Sequence, residues 1–151
     1  MTLPAKLALT IQYAAEQASL PTRADFRHWA KAALLHEVAA ALRVADEAEG
    51  LRLNQDYRDK PYATNVLTFA YGAEQEDGPL SGDIVLCAAV VEREAIEQGK
   101  ALEAHYAHLT VHGMLHLQGY DHEAEDEAVA MEAVESFIMM RLGFPDPYQD
   151  G

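Results

Sequence analysis

The chain contains one cysteine, Cys87, among 151 residues. A single cysteine excludes a disulfide bond within the chain and also a zinc site built from several thiolates. Cys87 ends the apolar segment GDIVLC, which has the composition of a buried strand. We therefore interpret Cys87 as a small core residue rather than a catalytic thiol.

Long hydrophobic segments are also missing. The longest stretch without Asp, Glu, Lys or Arg covers residues 104–120 and carries several histidines, so it is too short and too polar to cross a bilayer. The opening MTLPAKLALTIQ does not combine a basic start, an apolar run and a small-residue cleavage site. We expect a soluble cytoplasmic protein with no membrane association.

Basic residues are scarce. The chain has 11 Lys and Arg against 25 Asp and Glu, which gives a net charge of −14, and all of this excess lies in residues 61–151. An acidic field repels nucleic acid, but screening limits its reach to about 8 Å at physiological salt. The charge argues mildly against a nonspecific nucleic-acid binder, while the balanced residues 1–60 leave room for a local basic surface.

The order of the predicted elements favours an α+β fold. Hydrophobic patterning predicts four strands, at Leu7–Gln12, Ala39–Ala45, Asn65–Tyr71 and Asp83–Cys87. It predicts five helices, from Thr22 to about His36, after Asp46 to about Asp56, and at Ala88–Gln98, Leu102–Gln118 and Ala124–Leu142. Residues 72–82 have the composition of a loop, and the last two strands are expected to pair antiparallel. We expect residues 1–151 to form one domain, in which a small mixed sheet packs against the helices.

The segment HGMLHLQGYDH predicts a metal site on the buried central helix. His112 and His116 are four residues apart, so both imidazoles lie on one helix face within reach of one ion. Gly119 is suited to end the helix in a left-handed conformation, after which the chain turns back and presents His122. Three neutral nitrogen ligands leave a fourth position open for water, which is typical of a catalytic site for one zinc ion.

The same histidine spacing occurs in metzincin peptidases, which place a general-base glutamate directly after the first histidine. Gly113 occupies that position here, so a peptidase of this type is disfavoured. Neighbouring residues leave alternatives open. His108 is either a further ligand or contact of the site or, more simply, a packed or hydrogen-bonded residue, and His105 lies one turn earlier. Asp121 either orients a ligand imidazole or caps the last helix.

Several ordered motifs together resemble the bacterial endoribonuclease YbeY family. Besides HGMLHLQGYDH, they are LNQDYRDKPYATNVLTFAY at residues 53–71, GDIVLC at residues 82–87 and LGFPDPY at residues 142–148. Thr68 and Ala70 depart from the family pattern, which usually has serine and proline there, and neither is a proposed ligand.

This resemblance implies a zinc-dependent endoribonuclease specific for single-stranded RNA. Its expected tasks are maturation of the 3′ end of 16S ribosomal RNA, other ribosomal RNA processing and ribosome quality control. The implied zinc ligands are His112, His116 and His122, and the implied functional basic residue is Arg58. The implied partners are ribosomal RNA together with small-subunit ribosomal proteins or assembly factors.

Chemistry is consistent with a role for Arg58. Cleavage of a phosphodiester builds negative charge on the phosphoryl oxygens, and a guanidinium can hold two of them. The residues alone favour a simpler interpretation of Arg58, as a surface side chain or a partner of Asp56 or Asp59, and the resemblance reverses this preference. Two other functions remain open: a ribosome-assembly binding factor with a chiefly structural metal, and a metzincin-like zinc hydrolase of peptides.

Overall fold

The computed structural model describes residues 6–17, 19–121 and 123–148. Four strands form one mixed sheet in the order β1-β2-β4-β3, and five helices surround it. The strands are β1 (Leu7–Ala14), β2 (Val38–Ala45), β3 (Val66–Ala73) and β4 (Leu80–Cys87). The helices are α1 (Arg23–Ala32), α2 (Glu47–Arg58), α3 (Ala88–Gln98), α4 (Leu102–Leu117) and α5 (Glu125–Arg141). The predicted α+β class is confirmed.

Strands β1, β2 and β4 run parallel to one another, whereas β3 runs antiparallel to β4 at the edge of the sheet. Alternate residues of the strands point to opposite faces, so each strand contributes to two different environments. One face carries the main core, with Leu42, Ile84 and Leu86 fully buried against the helices. The other face carries a smaller cluster, in which Leu53 of α2 packs against Leu67 and Val85.

Local sequence signals set most element ends. Thr22 and Asp25 form a reciprocal capping box at the start of α1, as the sequence predicts. Asp46 caps α2 by accepting a hydrogen bond of 2.8 Å from the backbone N–H of Glu49. Gly99 ends α3 in the left-handed conformation, at φ 64°.

The end of α1 and the turn between β3 and β4 differ most from the prediction. Helix α1 ends at Ala32 rather than near His36, because the Gln118 side chain binds the segment that follows α1. Its Oε1 accepts hydrogen bonds of 2.7 and 3.0 Å from the backbone N–H groups of Leu35 and His36. The loop predicted at residues 72–82 is shorter, since β3 and β4 extend into it and pair Ala73 with Leu80.

Helix α4 is the centre of the fold. Ten of its residues are buried, among them Tyr106, Val111 and Met114, and it packs against α1, α3, α5 and strands β3 and β4. Close approach to the sheet depends on small residues on both sides. A Cβ atom at Gly113 of α4 would lie 3.0 Å from the Ile84 side chain, and one at Gly82 of β4 would lie 2.3 Å from Leu117.

Among the residues described, no helix is both long enough and apolar enough to cross a bilayer.

We predict that Gly82→Ala destabilises the protein. The added methyl group would lie 2.5 Å from the backbone oxygen of Phe69 as well as against Leu117, and backbone cannot move aside cheaply. We expect the free energy of unfolding to fall by about 3 kcal/mol, the upper end of the usual cost of overpacking. Urea denaturation measures it. Gly78→Ala, whose methyl group would come no closer than 3.3 Å to its turn, is the control and should cost much less.

Candidate metal centre

His112 and His116 of α4 face the same open groove. Their ring centroids are 4.7 Å apart, and both side chains are partly exposed, whereas Gly113 between them faces the sheet. The groove has a volume of about 390 Å³. Its other lining residues are Arg58 and, from β3 and the segment before it, Thr64, Asn65, Val66, Leu67, Thr68 and Ala70. The helix therefore directs two predicted ligands toward the edge of the sheet.

The third predicted ligand, His122, lies outside the described residues, so its role stays a prediction. Within residues 6–17, 19–121 and 123–148, no group of three or more His, Cys, Asp or Glu side chains is arranged to hold an ion. Gly119 does take a positive φ of 102° just after α4, as predicted for the turn that leads back toward His122. Two imidazoles on one helix face form a donor set that suits zinc and other borderline metals, so the described residues fit such an ion.

Arg58, the last residue of α2, is held at the rim of the groove. Its Nη2 donates a hydrogen bond of 2.9 Å to the backbone oxygen of Thr68, and its guanidinium lies 5.2 Å from the ring centroid of Phe69. In the described part of the chain, no ion pair joins Arg58 to Asp56 or Asp59, although the sequence left that pairing open. The guanidinium is thus positioned by an uncharged carbonyl and a ring, and its positive charge is not neutralised by those carboxylates.

Glu135 of α5 contacts His112 on the side away from the groove. Its side chain is fully buried, and its Oε1 accepts a hydrogen bond from His112 Nδ1. The hydroxyl of Tyr148 donates to Oε2 of the same carboxylate. Burial raises the pKa of Glu135, but the neighbouring His108 and His112 rings and the hydrogen bond from Tyr148 outweigh it and lower the pKa to about 2. Glu135 is therefore ionised at neutral pH.

His108 also belongs to this cluster. Its Nε2 lies 3.2 Å from the Tyr148 hydroxyl and 3.6 Å from Glu135 Oε2. This geometry agrees with the hydrogen-bonded interpretation of His108. The alternative that Asp121 caps the last helix is wrong, because the N-cap of α5 is Ala124.

The sequence model of the family described as Endoribonuclease YbeY matches residues 10–143. The chain belongs to the YbeY family. A Methylobacillus flagellatus protein named Endoribonuclease YbeY is 59% identical over 143 residues, covering 95% of this chain and 94% of that protein. One of the same name from Paraburkholderia phymatum is 55% identical over 154 residues, covering 99% of this chain and all of that protein. The solution structure of protein TM1509 from Thermotoga maritima superimposes with a TM-score of 0.55 at 23% identity, covering 94% and 99% of the two chains, and this likeness supports the fold.

In this YbeY-family chain, the sequence motifs did not indicate that Glu135 and Tyr148 lie beside the predicted metal ligands. A signal for Glu135 was present, because it stands at helical spacing between Met131 and Ile138 on the apolar stripe of α5. A carboxylate on a buried face needs a partner, so that position predicts a paired glutamate. The partner itself is on another helix, 23 residues away, and no local pattern identifies it.

His105 supports the groove from a different side of α4. It is buried, and its Nε2 lies 2.9 Å from Glu94 Oε1, which also accepts a hydrogen bond of 2.9 Å from Asn65 of the groove. Its Nδ1 has no hydrogen-bond partner in the described part of the chain. Burial, only partly offset by Glu94, lowers the pKa of His105 below its ordinary value of 6.5. The neutral form of the imidazole is therefore favoured in the folded state.

We predict that His105 makes the protein less stable in mild acid. Because its folded-state pKa is lowered, the unfolded chain takes up this proton at a higher pH than the folded chain does. The contribution of His105 to the free energy of unfolding is therefore complete above about pH 6.5, and it decreases as the pH drops below that value. In His105→Gln, the free energy of unfolding should therefore fall less between about pH 7.5 and about pH 5 than in the wild type.

Chemical denaturation across that pH range is the measurement. His28→Gln, which removes an exposed imidazole from α1, is the control and should keep the wild-type slope. A slope in His105→Gln equal to that of the wild type would show that His105 does not carry this effect.

Proposed function

We propose that residues 1–151 form one YbeY-like hydrolase domain that cleaves single-stranded ribosomal RNA with the help of a bound zinc ion. As a member of the YbeY family the chain is an endoribonuclease, an enzyme that hydrolyses phosphodiester bonds within RNA. The observation that supports a zinc-assisted cleavage site is the shared groove, because Arg58, His112 and His116 line it together. One cationic side chain thus stands across from two nitrogen ligands.

The proposed ligands of the ion are His112, His116 and His122. A divalent ion held there supplies a Lewis acid, which polarises a phosphoryl oxygen and activates water. Neutral imidazoles also suit nickel, copper and iron, so zinc is the proposal among several metals with the same ligand preference. Gly113 provides no general base, since glycine has no side chain, and a side chain added at this position would meet Ile84.

Arg58 is the proposed phosphate-binding residue. Its guanidinium is held by Thr68 and Phe69, so less side-chain freedom is lost when it binds a phosphate than for an unrestrained arginine. Negative charge that develops on the phosphoryl oxygens during cleavage is stabilised by a fixed cation beside it. Arg58 therefore binds and orients the scissile phosphate, and it stabilises the transition state.

The proposed biological task is maturation of ribosomal RNA, especially the 3′ end of the 16S species, together with ribosome quality control in the cytoplasm. The resemblance of the motifs to the YbeY family supports it. The charge distribution supports protein partners as well, since residues 61–151 carry the whole net charge of −14. Small-subunit ribosomal proteins or assembly factors with basic surfaces are the proposed partners of that half of the chain.

We predict that Arg58→Glu reduces cleavage of single-stranded RNA by at least about a hundredfold, the typical effect of removing a group that stabilises developing charge. Zinc content should stay at the wild-type level, because the guanidinium of Arg58 is held by Thr68 and Phe69 and is not itself a metal ligand. Fluorogenic single-stranded RNA and metal analysis by mass spectrometry provide the two measurements. Arg52→Glu makes the same charge change at an exposed position of α2 outside the groove, and it should keep most of the activity. Cleavage that survives in Arg58→Glu would remove Arg58 from the site.

We also predict that the zinc-loaded protein cleaves single-stranded RNA and not casein. Peptide hydrolysis of the metzincin type needs a glutamate after the first histidine, and a side chain at position 113 would point into the sheet. Both substrates are tested with the same preparation, and His112→Ala is the control for a contaminating nuclease. Casein cleavage that disappears in His112→Ala would favour the peptidase alternative.

A further inference from the structure

Glu135 is a charged side chain in an apolar setting. It lies on the buried stripe of α5 between Met131 and Ile138, and its own exposed fraction is 0%. Transfer of a carboxylate out of water is costly unless hydrogen bonds and opposite charge compensate it. An apolar residue of similar size would fill this position at no such cost. The contacts of Glu135 therefore indicate what its charge is for.

Both carboxylate oxygens are used, and each contacts a different segment. Oε1 accepts from His112 Nδ1 on α4, while Oε2 accepts from the Tyr148 hydroxyl and lies 3.6 Å from His108 Nε2. A carboxylate with partners on both oxygens has little freedom to rotate. Glu135 thus holds the His112 ring in one orientation.

The chain after α5 is folded back to complete this cluster. Asp146 accepts a hydrogen bond of 2.6 Å from the Ser136 hydroxyl of α5 and one of 3.0 Å from the backbone N–H of Tyr148. These two bonds fix the turn that brings the Tyr148 ring beside His108, at a centroid distance of 5.3 Å. The segment after α5, residues 142–148, therefore holds the Glu135 carboxylate in place through the Tyr148 hydroxyl, and it is called the tail below.

The contact with Glu135 also decides which nitrogen of His112 faces the groove. When Nδ1 carries the proton and donates it to a carboxylate, Nε2 holds the lone pair that a metal requires. A carboxylate partner further raises the basicity of the imidazole, which strengthens its bond to a cation. His112 lies between two spaces, since it lines the groove with Arg58 and also a cavity of about 210 Å³ with Glu135 and Tyr148.

We propose that Glu135 is a positioning residue of the metal centre, which fixes the tautomer and orientation of His112 and is itself held by Tyr148. The inference rests on the proposed function only in naming His112 as a ligand. It deepens that function, because it extends the centre from three histidines to a carboxylate on another helix and a tyrosine of the tail.

The experiment compares Glu135→Gln with Glu132→Gln. Glu132 lies on the same helix beside the same cavity, so both changes remove one negative charge there. Of these two described glutamates, Glu135 is the one whose carboxylate is hydrogen-bonded to His112. Zinc affinity is measured by competition with a chromophoric chelator. We expect Glu135→Gln to bind zinc at least about tenfold more weakly than the wild type, as is typical when the partner of a ligand histidine is lost. Glu132→Gln should bind as the wild type does.

A second measurement needs no metal. It is nitrogen-15 NMR of the zinc-free wild type, with the His112 signals assigned by comparison with His112→Asn. We expect the proton on Nδ1 in the neutral ring, and a mixture of tautomers in Glu135→Gln. Tyr148→Phe should produce a smaller loss of zinc affinity than Glu135→Gln. Circular dichroism of each variant shows whether it is folded.

A wild-type His112 with its proton on Nε2 would overturn the proposal, as would unchanged zinc affinity in folded Glu135→Gln. Neither result depends on RNA cleavage. If zinc affinity and tautomer behave as expected while the protein does not cut RNA, the proposed function fails and the positioning role stands. If the protein cuts RNA but Glu135→Gln binds zinc normally, the positioning role fails and the proposed function stands.

Discussion

The packing of α4 against the sheet is the constraint on which the rest of the molecule depends. Gly113 on the helix faces Ile84, and Gly82 on β4 faces Leu117, so the helix and the strand approach each other where a methyl group on either side would collide. This contact fixes the rotation of α4 about its own axis. Once that rotation is fixed, positions 112 and 116 must point past the edge of the sheet, over β3.

The same constraint separates this centre from a metzincin site with similar histidine spacing. A residue directly after the first histidine lies about 100° further around the helix. The sheet fills that direction, so position 113 can hold only a very small residue. Charged groups of the groove therefore have to come from other elements. The basic group of the groove comes from the end of α2, and the carboxylate that holds His112 comes from α5.

The sequence predicts the α+β class, the nine elements seen in the described residues and most of their ends, because caps, glycines and hydrophobic periods are local signals. It fails where distant residues intervene. The end of α1 depends on Gln118, which lies more than eighty residues later and occupies the backbone groups that a longer helix would use. The length of the hairpin depends on cross-strand pairing of Ala73 with Leu80, although the composition of this segment is that of a loop. At the site, the spacing of the histidines can be read from the sequence. Glu135 and Tyr148 are distant from them along the chain, and only the fold brings them beside His112.

Among the described strands, β3 pairs with β4 alone, so its other side is an edge of the sheet. Open edges can pair with strands of other molecules, which leads to association between chains. The guanidinium of Arg58 occupies the carbonyl of Thr68 on this strand. A strand from another molecule would need that carbonyl to pair with β3, so the side chain proposed to bind phosphate also blocks one pairing position at the edge of the sheet.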